Sequence, residues 1–224
     1  MEPGELHQSR TDVRTTYDRV AAEYANHLAD ELDHKPFDRK LLDWLVERVS
    51  PGGLICDLGC GPGHIARYIS ARGAKVCGID LSPGMIEQAR RLDPAIEFTV
   101  GDMLDLNEVG DGSWAGIAAF YAIVNLPAEG LAVAFAEMFR VLKPAGEVLL
   151  SFHIGNETQH REEWWGHQVM IDFYFLETAK IKELLTTSGF TLSEVIERDP
   201  YPEVEFPSRR AYIFARKPES APII

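Results

Sequence analysis

The segment Ile55-Cys56-Asp57-Leu58-Gly59-Cys60-Gly61-Pro62-Gly63-His64 constrains the fold more than any other, because an apolar run passes through G-x-G-x-G straight into a helical pattern. Glycines suit such a turn: a side chain would keep a ligand away from the backbone, and the turn calls for positive φ. The dinucleotide fingerprint G-x-G-x-x-G wants Gly or Ala where His64 stands, which argues against a nicotinamide oxidoreductase.

Around this turn, short apolar runs alternate with helical stretches, the pattern of buried parallel strands joined by crossover helices. Strands are predicted at 54–58, 75–79, 96–100, 115–121 and 147–152, and helices at 62–71, 82–91 and 131–142, with 143–146 as a turn. Two helices precede them. One spans 12–28, capped by Thr11 or Asp12 and striped by Val13, Tyr17, Val20, Ala21, Tyr24 and Leu28; the other spans 36–49 and turns Leu41, Leu42, Leu45, Val46 and Val49 inward. Residues 155–175 break the rhythm with Trp164, Trp165, Phe173, Tyr174 and Phe175, an aromatic insertion read as a lid. A helix at 179–188 and strands at 190–196 and 210–215 complete a doubly wound α/β domain.

Asp80 ends the second strand, 21 residues after Gly59, where a carboxylate can accept two ribose hydroxyls. Asp102 ends the third, within reach of an adenine amine. Asp57 is a charge in an apolar strand, which requires hydrogen bonding and suggests a site role.

At 22 Lys+Arg against 35 Asp+Glu the formal charge is −13, which speaks against a face that grips a phosphate backbone. No run approaches the ~18 apolar residues of a membrane span. The start, Met1 to Arg10, lacks the apolar core of a signal peptide, so a cytoplasmic protein with no membrane partner is expected. Cys56, Cys60 and Cys77 read as reduced thiols, with no metal site.

The chain resembles the class I S-adenosylmethionine-dependent methyltransferases of the small-molecule kind. Asp57-Leu58-Gly59-Cys60-Gly61-Pro62-Gly63 stands at the first motif, and Ile79-Asp80-Leu81-Ser82-Pro83-Gly84-Met85-Ile86 at the second. Gly101-Asp102-Met103 matches the third, Arg140-Val141-Leu142-Lys143-Pro144-Ala145-Gly146 the turn before the fifth strand, and Tyr17-Asp18-Arg19-Val20-Ala21-Ala22-Glu23-Tyr24 the leading helix. The resemblance implies a Rossmann-like, mostly parallel seven-stranded sheet with helices on both faces in one domain, 1–224. Its parts are a helical cap (1–50), a cofactor-binding core (51–153), the lid (154–175) and a C-terminal helix and strands (176–224).

It implies S-adenosylmethionine as methyl donor and S-adenosylhomocysteine as product. Gly59 and Gly61 meet the methionine part, Asp80 the ribose, Leu81 and Met103 the adenine faces, and Asp102 the adenine amine. Asp57, Met85, Tyr17 and Tyr24 join the cofactor set, while Phe120 and Tyr121 line the sulfonium and acceptor side. The activity implied is in-line transfer of a methyl group to an O, N or C nucleophile of a small molecule. An RNA or other nucleic-acid methyltransferase and a non-catalytic S-adenosylmethionine-binding protein are the alternatives, and monomer or homodimer stays open.

On the acceptor side, His153 and Tyr121 are the candidate catalytic groups, and Trp164, Trp165 and Tyr174 a pocket for a flat or cationic acceptor. Glu205, Arg209 and Arg210 read as a solvated strand edge, with Arg209 the candidate contact to a charged acceptor group.

Overall fold

The computed structural model describes residues 3–49 and 51–219; Met1, Glu2, Ser50 and residues 220–224 lie outside the described residues. Two helices, α1 (Pro3–His27) and α2 (Pro36–Arg48), lead into β1 (Leu54–Leu58), α3 (His64–Ala71), β2 (Lys75–Asp80), α4 (Pro83–Leu92) and β3 (Glu97–Val100). There follow β4 (Trp114–Phe120), α5 (Ala128–Val141), β5 (Leu142–His153), β6 (Thr158–Trp164), β7 (His167–Tyr174), α6 (Thr178–Thr187), β8 (Thr191–Arg198) and β9 (Arg210–Arg216). The main sheet runs β3-β2-β1-β4-β5-β9-β8, and β9 is antiparallel to both its neighbours. Strand order reverses between β1 and β4, so a crevice opens beyond their carboxyl ends, where open α/β sheets take ligands.

Alternation along the strands feeds two cores. Cys56 and Leu58 of β1, with Val148, Leu150 and Phe152 of β5, face α5 and α6 through Leu131, Phe135, Met138, Ile181 and Leu185. Ile55, Leu149, Tyr212 and Phe214 point the other way, toward α2 and α3 through Leu41, Leu45, Ile65 and Ile69. Helices therefore cover both faces, as the apolar periodicity requires.

Two expectations are corrected, and the insertion takes a definite form. The first helix begins at Pro3, so neither Thr11 nor Asp12 caps it; both lie inside a helix that extends beyond its apolar stripe. The 143–146 turn is absorbed into β5, which starts at Leu142, pairs Leu142 with Trp114 and resumes at Glu147 opposite Gly116 after a register shift, with Ala145 at a φ of 63°. The aromatic insertion is a β-hairpin, β6 with β7, turning at Trp165 and Gly166 with φ of 52° and 81°, the positive pair of a type I′ turn.

α1 and this hairpin bind each other across the crevice. Thr16 Oγ1 donates to Met170 O at 3.1 Å and Arg19 Nη1 to Gln168 O at 2.8 Å. Tyr17 and Tyr24 meet Trp164 edge-to-face at 6.0 and 5.6 Å, and His27 stacks on Trp165 at 4.4 Å. The helix is anchored below by Asp18, whose Oδ1 accepts from Ser82 Oγ at 2.6 Å and from the Gly84 N–H at 2.8 Å, a carboxylate at the N-terminus of α4.

Candidate active site

The glycine turn is tied to β2 through its backbone: the N–H groups of Gly59 and Cys60 both donate to Ile79 O, at 2.7 and 3.0 Å. Gly59 has φ 77° and Gly61 φ 52°, and a Cβ on Gly59 would lie 2.5 Å from the Ala122 side chain. The turn is thus both left-handed and closely packed, leaving backbone as the surface offered to a ligand. Asp80 stands opposite, with Oδ2 accepting from the Gly61 N–H at 2.7 Å and Oδ1 from the Ser82 N–H at 2.8 Å. Burial pushes its carboxyl up to about 6, against the pull of those N–H groups. Each oxygen keeps lone-pair capacity for a further donor.

A cleft of about 880 Å³ opens here. Gly59, Gly61, Asp80, Leu81 and Met85 form one side, and Asp102 and Met103 the far end. Tyr17, Tyr24, Phe120 and Tyr121 close it toward the hairpin. Asp102 accepts from the Leu104 N–H at 2.8 Å and forms an ion pair with Arg10 of α1, which lines the same cleft. Asn125 joins α1 to the hairpin: its Oδ1 accepts from Tyr17 OH at 2.9 Å and its Nδ2 donates to Asp172 O at 2.8 Å.

A second cavity, of about 910 Å³, lies on the other side of Tyr17, Tyr24, Phe120 and Tyr121. Tyr121 has φ 50°, a conformation that non-glycine residues adopt at a cost and that clusters at ligand sites. Its hydroxyl accepts from Arg210 Nε at 2.9 Å, and its ring lies 4.9 Å from that of His153. His153 Nδ1 is 2.7 Å from Ser208 Oγ; burial, then Arg210 and Lys35, push the imidazole down to about 4, so it is neutral near pH 7. Burial also drives the Tyr121 phenol well above its ordinary range.

The family model for a methyltransferase domain matches residues 55–146. Malonyl-[acyl-carrier protein] O-methyltransferase of Serratia marcescens is 32% identical over 115 residues, 51% of this chain and 44% of that protein. Demethylmenaquinone methyltransferase of Chlorobaculum tepidum is 34% identical over 146 residues, 62% of this chain and 58% of that protein. The chain spans about half the length of the curated relatives it matches. Residues 55–146 therefore carry a methyltransferase domain of the class I S-adenosylmethionine-dependent kind. The fold agrees: the crystal structure of Burkholderia thailandensis 1,6-didemethyltoxoflavin-N1-methyltransferase superposes with a TM-score of 0.72 at 18% identity, covering 95% of this chain and 90% of that one.

Around this domain, the cleft gathers Tyr17, Tyr24, Gly59, Gly61, Asp80, Leu81, Met85, Asp102, Met103, Phe120 and Tyr121. Asp57 is not among them: it is buried behind the turn, where Oδ2 accepts from the Ala66 N–H of α3 at 2.9 Å, so it holds the turn to the helix. His153 and Trp164 line the second cavity, whereas Trp165, Tyr174 and Arg209 line neither. Arg209 faces solvent and pairs with Glu197 at 3.2 Å and Asp199 at 3.5 Å.

The solvated-edge reading of Glu205 and Arg210 is overturned. Both are buried and lie 3.3 Å apart, because β9 is an interior strand and the loop before it folds inward. Arg10, Asn125, Lys35 and Glu31 were not singled out from the sequence. Arg10 lies before the apolar stripe, but Asn125 is the one polar residue in 122–127, a signal available at the outset.

Burial pushes the Asp57 carboxyl up to about 7. A folded pKa above the ordinary carboxylate value gives stability that is present at low pH and is lost as pH rises through about 7. Asp57→Asn should therefore flatten the pH dependence of urea unfolding between pH 5 and 8, by on the order of a few kcal/mol, and gain relative to wild type at the alkaline end.

Proposed function

We propose that the chain binds S-adenosylmethionine in the first cleft and transfers its methyl group to an O, N or C nucleophile of a small-molecule acceptor held in the second cavity. The observation that carries this reading is the shared wall: Phe120 and Tyr121 border both spaces, so ligands in the two would meet there. The cleft also fits the donor's chemistry. Backbone at Gly59 and Gly61 would receive the methionine part, Asp80 the ribose hydroxyls, Leu81 and Met103 the adenine faces and Asp102 its amine. When bound, the donor supplies a sulfonium methyl that is already activated for in-line displacement.

The protein's own contribution is then alignment and exclusion of water. α1 and the hairpin cover the meeting point with Tyr17, Tyr24 and Trp164. A neutral His153 can orient an acceptor's polar group through Nε2, and with its pKa pushed down it is a weak proton acceptor. The Tyr121 phenol stays protonated. This favours acceptors that need little general base. The relatives' named acceptors, malonyl-[acyl-carrier protein] and 1,6-didemethyltoxoflavin, support a non-nucleic-acid acceptor. In this reading 1–224 acts as one domain.

The test is S-adenosylhomocysteine formation with fractionated cell extract. Turnover with the fraction below about 1 kDa is expected; turnover only with RNA would overturn the small-molecule assignment. Tight donor binding with no turnover in any fraction would leave a binding protein. Donor affinity should also rise with pH through about 6, because the ionised Asp80 is the better acceptor for ribose hydroxyls, and calorimetry from pH 5 to 8 reads this.

A further inference from the structure

We propose that the second cavity selects uncharged planar aromatic acceptors and rejects carboxylates of the same shape. The inference rests on reading that cavity as the acceptor site. Its walls are rings set edge to face: Tyr24 against Trp164 at 5.6 Å and 83°, and Trp164 against Phe173 at 5.5 Å and 86°. His153, in the same lining, stacks on Phe175 at 5.3 Å and 24°. A flat ring entering between such walls finds both aromatic faces and edges.

The charges in the lining decide the selection. Lys35 and Arg210 are the cations there, and neither is free. The Lys35 ammonium, its side chain only 9% exposed, is 2.5 Å from Glu31 Oε1 and 3.9 Å from Glu205. Arg210 spends Nε on Tyr121 OH, Nη1 on Ser208 O and Nη2 on Phe206 O, with Glu205 at 3.3 Å. His64 is committed to Glu31 at 3.0 Å, and His153 is neutral near pH 7.

Three carboxylates, Glu31, Asp38 and Glu205, line the cavity against those two cations. Arg198 balances them from behind, bonded to Asp38 at 3.1 Å and Glu205 at 2.7 Å. Against its own burial, His64 and Lys35 hold the Glu31 carboxyl down at about 2, so it stays ionised. An entering carboxylate would lose its water and find every described cation of the lining already paired with an acid. An uncharged ring pays none of this, and His153 Nε2 is left to meet a hydroxyl or ring nitrogen on its edge, since Nδ1 is held by Ser208.

The experiment titrates S-adenosylhomocysteine-loaded protein with 2-naphthol and with 2-naphthoate at neutral pH, following tryptophan fluorescence and calorimetry. The naphthol is expected to bind at least ~10-fold tighter, a floor well below what an unpaired buried charge costs. In Glu31→Gln, which releases Lys35 from its nearer partner, the gap should narrow because naphthoate binds better. Naphthoate binding as tightly as the naphthol in wild type, neither probe binding, or an unchanged gap in a folded Glu31→Gln would each overturn the proposal. Loading with S-adenosylhomocysteine is measured first on the same samples, and its failure counts against the cofactor reading instead.

Discussion

Asp80→Ala is expected to weaken S-adenosylhomocysteine binding by roughly 100-fold or more in calorimetry. Two ribose hydroxyls on a buried carboxylate make charge-assisted hydrogen bonds of about 1.5–3 kcal/mol each, and ~3 kcal/mol is already about a hundredfold. The substitution also removes the acceptor for the Gly61 and Ser82 N–H groups, so the turn and the start of α4 lose their common anchor. Asp80→Asn keeps the shape and one acceptor oxygen, and should fall between wild type and alanine. Asp102→Ala should cost less, because that carboxylate sits at the far end of the cleft, already bonded to Leu104 and paired with Arg10. Unchanged affinity in a folded Asp80→Ala would place the ribose elsewhere.

The second large effect is on stability. Arg210→Met should lower the free energy of unfolding by about 3–5 kcal/mol, read by urea titration, because it removes one of the cations around buried Glu205 and leaves the carbonyls of Ser208 and Phe206 and the Tyr121 hydroxyl without their donor. Arg209→Met, one position away, should change stability by less than ~0.5 kcal/mol, because its ion pairs are exposed to solvent. Equal effects at 209 and 210 would contradict the burial of this network.

That pair of arginines shows where the sequence stops being legible. Periodicity located the strands of the sheet because Ile, Val and Leu must be buried on both faces, and the glycines and Asp80 were legible because few residue types satisfy a left-handed turn against a ligand. In β9 the pattern Arg210-Ala211-Tyr212-Ile213-Phe214 carries a charge at its first interior position. Which of two adjacent arginines turns inward depends on the partners waiting there, Glu205 from the preceding loop and Tyr121 from the end of β4, and neither proximity is written in local spacing.

The hairpin was similarly hidden. Its turn uses Trp165-Gly166 in place of the Asn-Gly or Asp-Gly that signals a type I′ turn, and its strands pair with α1, 154 residues away in the case of Met170 and Thr16. Asp57 was legible as a buried charge needing hydrogen bonds, but only the fold shows that they come from the helix behind it.

The cleft between the glycine turn, Asp80 and Asp102 is the proposed donor site. Hydrogen–deuterium exchange with and without S-adenosylhomocysteine tests it most directly. Slowed exchange is expected at residues 58–63, 80–85 and 101–104, and in α1 where Tyr17 and Tyr24 cover the cleft. Protection confined to other segments, or none at saturating ligand, would contradict it.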